Sequence, residues 1–205
     1  MSRVTLAPAR AISLALEDWT GSDTFERVLL DARNGDEQAF ARLWRWLNPS
    51  VLRWLRVVAP DAAEDVCSEV WCTIARGIDA FEGGEEQFRG WLFVTARRRA
   101  VDAARQRGRQ PATAALDGVE PTDGADASTP TMHEQEVAAA FALLRALPPQ
   151  QAEVLALRVV GGMTVEETAA VIGKSEGAVR VLCHRGLRTL ARHINSAALL
   201  EGVTP

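Results

Sequence analysis

Residues 147–192 read LPPQQAEVLALRVVGGMTVEETAAVIGKSEGAVRVLCHRGLRTLAR. Three helices can be drawn from this stretch by pattern alone. Pro148 and Pro149 suit the first turn of a helix, where a missing backbone N–H costs nothing. Val154, Leu155, Leu157 and Val159 predict one broad buried face. Gly161 and Gly162 predict its end, since glycine takes the left-handed conformation of a helix C-cap without strain. Thr164 reads as the next N-cap, and Glu167 completes a capping box. The short helix that follows is expected to bury Val165, Ala169 and Ile172 and to stop at Gly173. Ser175 then caps a third helix with Val179, Leu182, Gly186 and Leu190 inward. Arg180, His184, Arg185 and Arg188 are left for the rest of its surface. A short helix, a glycine turn and a second, basic helix form the helix-turn-helix plan, whose second helix enters the DNA major groove. Capped helix pairs also occur in bundles that bind no DNA. Here the exposed side of the last helix carries almost no acid beyond Glu176, which favours DNA.

The balance of charge over the chain points the other way until its distribution is read. The 205 residues carry a formal net charge of −4. The cations are concentrated in two places. Arg89, Arg97, Arg98, Arg99, Arg105, Arg107 and Arg109 crowd one stretch, opposed mainly by Asp102, and Lys174 to Arg192 is the second. Such segregation tells more than the total. Cys67, Cys72 and Cys183 form no CxxC pair and have no His at metal-ligand spacing, so they read as small buried apolar groups in a reducing compartment. Ala11 to Leu16 is too short for a signal-peptide core, and no run approaches the roughly 20 apolar residues of a membrane span. There is no GxSxG, no HExxH and no Gly-rich phosphate loop after a strand, and His133, His184 and His193 are scattered. The residues are equipped to bind rather than to catalyse, with no metal or cofactor implied.

Upstream, the pattern is helical throughout, with no strand of any length. Residues 1–23 read as a loose or partly helical extension. Asp23 or Ser22 is expected to cap a helix through Arg33, and Asn34-Gly35-Asp36 to make a turn ending in a new cap. Phe40, Leu43, Trp44 and Leu47, then Val51, Leu52, Leu55 and Val58, predict a helical hairpin bent or reset at Asn48-Pro49. Trp46 and Trp54 are placed at the core edge, where an indole N–H stays wet. Asp61 is a further expected cap, for a helix with Val66, Val70, Trp71 and Ile74 inward and Glu64, Asp65, Ser68 and Glu69 outside. Residues 88–109, FRGWLFVTARRRAVDAARQRGR, put Trp91, Leu92, Val94, Thr95, Val101 and Ala104 inward, with arginines over much of the rest. Aromatic groups beside a basic helix can stack melted bases while arginines follow the phosphates; Trp91 as plain core is the equal alternative. Residues 110–132 are Pro, Ala, Gly, Asp and Thr with little to bury, hence a flexible acidic linker. A helix over 133–147, with Val137, Ala140, Phe141 and Leu144 inward, packs on the helix-turn-helix.

The string Ser175-Glu176-Gly177-Ala178-Val179-Arg180, followed by His184-Arg185-Gly186-Leu187-Arg188, resembles the DNA-binding region of bacterial extracytoplasmic-function (ECF) sigma factors. Leu147-Pro148-Pro149-Gln150-Gln151 and the helix from Thr164 to Ile172 resemble the same family, and the likeness extends over roughly 24–192. It implies an all-α protein of two small helical domains, at 24–109 and 133–195, joined by the linker and followed by a tail over 196–205. It implies core RNA polymerase and promoter DNA as partners, with an anti-sigma factor as a further class. The pattern AEDxxxExW, here Ala63 to Trp71, resembles the helix that docks on the clamp helices of the polymerase largest subunit, through Asp65, Val66, Glu69 and Val70. A merely solvated acidic face is the alternative. Phe88, Arg89, Trp91, Arg97, Arg98, Arg99 and Arg105 fall where the family recognises and melts the minus-10 element. Lys174, Ser175, Glu176, Arg180, His184, Arg185 and Arg188 fall where it reads the minus-35 element, in a domain that meets the flap of the second-largest subunit. One departure stands out. Many family members have Asn in an Ala-x-Asn-x-Ala pattern where this chain has Arg98. Asn offers a base edge a donor and an acceptor, whereas Arg only donates, so a different minus-10 preference is expected. A stand-alone helix-turn-helix regulator and a protein-interaction module are the rival readings.

Overall fold

Thr24, one residue after the expected cap, starts the first helix: its hydroxyl accepts from the Arg27 N–H at 3.4 Å. The computed structural model describes residues 24–109 and 132–201. Expectations about 1–23, 110–131 and 202–205, and the inward turn of Val137, lie outside the described residues. Helix α1 (Phe25–Arg33) buries Phe25, Val28 and Leu29, and Gly35, at φ +92°, carries the chain through the turn. Asp36 caps α2 (Glu37–Val58), accepting from the N–H groups of Gln38 at 2.8 Å and Ala39 at 3.1 Å. Pro49 lies inside α2 without ending it. The proline has no N–H to give the preceding turn, but Leu47, Val51 and Leu55 on both sides of it are buried and hold the two halves in one helix.

A 3-10 turn (Pro60–Ala62) leads into α3 (Ala63–Gly77), which has no side-chain cap. Asp61 does not cap it; its carboxylate pairs with Arg107 at 3.0 Å. Asn48, midway along α2, joins α2 to α3: its Oδ1 accepts from the Trp71 indole N–H at 3.0 Å and the Cys67 thiol at 3.1 Å. Helix α4 (Glu85–Arg109) begins three residues before Phe88. Trp54 is fully buried, not at the edge, and its Nε1 has no hydrogen-bond partner. Its ring meets Phe93 edge-on at 5.9 Å, so apolar contact here outweighs an unsatisfied N–H.

In the C-terminal unit, α5 (Met132–Arg145) precedes α6 (Pro149–Val159), α7 (Val165–Ile172) and α8 (Glu176–Glu201). Pro149 occupies the first turn of α6, the Thr164–Glu167 capping box is formed, and Gly173 ends α7 at φ +66°. Leu155 and Leu157 are buried as expected, but Val159 is half exposed and Ala156 takes its place in the core. Gly186 sits where α8 crosses α6: a Cβ added there would stand 2.6 Å from Leu155 Cδ1. Helix α8 runs on to Glu201, past the boundary expected at 195.

Among the described residues there are eight α-helices and no strand. The two helical units pack directly against each other, α6 on α2 and α7 on α4, and one apolar core is continuous through both. Phe93 of α4 reaches the turn at Gly161, where a Cβ added to the glycine would lie 3.3 Å from its ring.

Candidate nucleic-acid interfaces

Helix α8 presents one side to the core and the other to solvent. Val179 and Gly186 are buried and Leu182 and Leu190 partly so, a spacing of three and four that repeats along one face. The opposite face carries Arg180, His184, Arg185 and Arg188, all exposed. Ser175 caps the helix, accepting from the Ala178 N–H at 3.3 Å, and is thereby tied to the fold as much as to any ligand. Glu176 holds Arg180 in an exposed pair at 2.6 Å. Among the described residues, Lys174, His184, Arg185 and Arg188 make no ion pair. A helix of about 11 Å diameter with side chains fits the major groove, and such cations at its exposed face suit phosphate oxygens and guanine edges.

The arginines of α4 are in a different state. Arg97 Nε donates to Glu153 of α6 at 2.7 Å. Arg89 Nη2 donates to the Gly161 carbonyl at 2.6 Å and faces Glu85 at 3.8 Å. Arg99 bonds Thr73 Oγ1 at 3.1 Å and faces Glu69 at 3.6 Å. Arg105 pairs with Asp102 at 3.6 Å. Arg98 is exposed and makes no ion pair among the described residues. Thus α4, Arg98 apart, has these cations engaged by acceptors of its own chain, and two of them, Arg89 and Arg97, reach the C-terminal unit.

Phe88 is not available to DNA. It is fully buried among Phe25 at 5.9 Å, Phe81 at 5.4 Å and Trp91 at 5.8 Å between ring centroids. Trp91 is half-buried and stacks on Phe81 at 5.2 Å, so it belongs to this aromatic cluster while keeping one side exposed. Leu92 and Thr95 are buried on α4 as expected, but Ala104 is exposed and Val101 only partly covered; Phe93, Ala96 and Ala100 complete the inward face. On α3, Val66 and Val70 are buried, the latter completely, because they share a face with Trp71 and Ile74. Of the four residues expected to dock on a partner, the carboxylates Asp65 and Glu69 are exposed and the two valines are not. Of the cysteines only Cys67 is buried; Cys72 is exposed and Cys183 lies between. Burial pushes the Cys67 thiol up to about 11, which keeps it neutral and inert.

Residues 43–110 match the family described as Sigma-70 region 2, and residues 139–190 the family described as Sigma-70, region 4. The ECF RNA polymerase sigma factor SigD of Mycobacterium tuberculosis is 32% identical over 183 residues, 85% of this chain and 86% of that protein. The chain belongs to the ECF family of RNA polymerase sigma factors. The ECF sigma factor BldN of Streptomyces coelicolor is 35% identical over 78% of this chain and 62% of its own length. The solved sigma factor RpoE of Bartonella quintana, in complex with the anti-sigma factor NepR, superposes with a TM-score of 0.60 at 20% identity, over 77% of this chain and 98% of that one, and shares its fold.

In this sigma factor the α4 start and the helix-turn-helix flank an open cleft of about 620 Å³, with Glu85, Glu86, Arg89, Glu166, Glu167 and Glu176 among its lining residues. Burial pushes the Glu85 carboxyl up, and Glu26 and Glu167 add to it, against the opposing pull of Arg89. Glu153 and the Gly161 carbonyl, which hold the α4 arginines, had no local signature: nothing in the pattern of α6 announces a partner 56 residues away. Among the described residues no helix is long and apolar enough to cross a membrane, and no cluster of His, Cys, Asp and Glu could hold a metal ion.

Proposed function

We propose that this sigma factor directs initiation by laying α8 in the major groove of a minus-35 element, with Lys174, Arg180, His184, Arg185 and Arg188 over its edge and backbone. The observation that carries the reading is the exposed cationic face of α8, whose His184, Arg185 and Arg188 make no ion pair among the described residues. Phosphate contacts supply most of the affinity and make it salt-sensitive, and a few base-edge contacts give the specificity. Helix α4 serves the minus-10 element through Arg89, Trp91, Arg97, Arg98, Arg99 and Arg105. Arg98, standing free where relatives commonly have Asn, sets a distinct base preference; unchanged preference for Arg98→Asn in run-off transcription from a base-randomised library would remove that role.

Asp65 and Glu69 on α3 dock on the clamp helices of the polymerase largest subunit, where an acidic face speeds encounter with a basic one. The C-terminal unit meets the flap of the second-largest subunit. The protein works in the cytoplasm by binding, without chemistry of its own. An anti-sigma factor suits it as a further partner, since a protein that keeps the two units together also keeps Arg89 and Arg97 covered. The test is promoter-dependent transcription with sigma-free core polymerase. Asp65→Ala is expected to lose it while binding to free duplex DNA is unchanged. Full transcription by Asp65→Ala removes the docking assignment, and no promoter-dependent transcription by the natural chain removes the function.

A further inference from the structure

Val181 is half exposed, at 49%, in the middle of the cationic face of α8. Its helical neighbours on that face are Gly177 one turn before, His184 and Arg185 one turn after, and Arg188 two turns after, all exposed. Nothing in the fold explains it. It does not pack on the core, and a β-branched residue on an exposed helix surface is a weaker helix former than the alanine or arginine that surround it. Helical side chains lean toward the N-terminus and cover the turn before their own Cα. For Val181 that turn is Gly177, where even an added Cβ would meet nothing closer than 4.0 Å. Val181 thus presents an exposed, β-branched side chain of restricted χ1 beside a glycine, in the second turn of the helix. The first turns of a recognition helix are the ones that reach base edges.

Each base pair shows the major groove a donor and acceptor pattern, but only thymine adds a methyl group, at C5, which apolar side chains contact. We infer that Val181 reads the C5-methyl of one thymine in the minus-35 element, a specificity residue set among cations that serve mainly to hold the duplex. The inference rests on α8 being the helix that enters the groove, and the experiment separates the two. The full chain selects duplexes from a randomised library, and each thymine of the selected motif is replaced in turn by deoxyuridine, which removes the methyl and leaves the hydrogen-bonding edge intact. One replacement is expected to weaken binding of the natural chain roughly 3- to 5-fold, the worth of one methyl-sized apolar contact. Val181→Ala should bind the thymine duplex as weakly as the natural chain binds that uracil duplex and should not distinguish the two. Its fold is unaffected, as the side chain supports nothing; an unchanged thermal melt confirms this. Equal thymine preference in Val181→Ala, or a motif with no methyl-sensitive thymine, overturns the inference while leaving duplex binding by α8 in place. Failure to select any motif overturns the reading on which it rests.

Discussion

Two stretches of this sigma factor look alike in sequence and differ in the fold. Both α4 and α8 are arginine-rich helices. On α4, Arg97 is bound to Glu153 at 2.7 Å and Arg89 to the Gly161 carbonyl at 2.6 Å. On α8, Arg185 and Arg188 are exposed and make no ion pair among the described residues. The lesson is that cation density predicts where charge resides along the chain, not whether it is available. On the proposed reading, DNA meets α8 directly, whereas at α4 it has first to displace contacts within the protein, the shortest of them to the other helical unit.

Removing charge from each helix in turn separates α4 from α8 most clearly. Arg185→Ala with Arg188→Ala is expected to weaken duplex binding by at least about 30-fold at moderate salt and to lower the salt slope by roughly one per lost phosphate contact. Arg97→Ala with Arg99→Ala in the free protein should cost far less. Equal losses in a fluorescence-anisotropy titration would mean the two clusters are equally available after all. A smaller effect concerns how α8 is presented. Gly186→Leu drives a side chain into Leu155 across the α6 crossing, which should lower stability by about 1–3 kcal/mol in a denaturant melt, as overpacking does. An unchanged midpoint would show that the crossing has slack. Glu153→Gln removes the anion from Arg97; a part-exposed pair of this kind is worth about 0.2–1 kcal/mol. Binding of a single-stranded minus-10 oligonucleotide should rise by a factor of about 1.5 to 5, and a fall would show that the pair aids that surface rather than competing with it.

The helix-turn-helix was readable at the level of single residues because its signals are local. Pro149 in a first turn, the Thr164–Glu167 box and Gly173 at positive φ each act within four residues of chain, and the structure has all of them. The structure departs from the local pattern where a distant residue decides. Asp61 has the chemistry of a cap, yet Arg107 claims it. Trp54 has a polar atom that argues for an edge position, yet Phe93 and the surrounding core enclose it. Phe88, Val66 and Val70 lie in stretches that match family interfaces, yet they hold the helices in place from inside. Val159 has the right character and the wrong phase, and Ala156 fills the core instead.

By itself the sequence determined most of the helices, the caps of the helix-turn-helix and the inward face of α8, because backbone hydrogen bonding and apolar periodicity act over a few residues. It also placed two blocks of positive charge. Only the tertiary structure decided which of those charges stand free, because an arginine is occupied by whatever acceptor the packing brings beside it, and the Glu153 carboxylate and the Gly161 carbonyl arrive at α4 from more than fifty residues away.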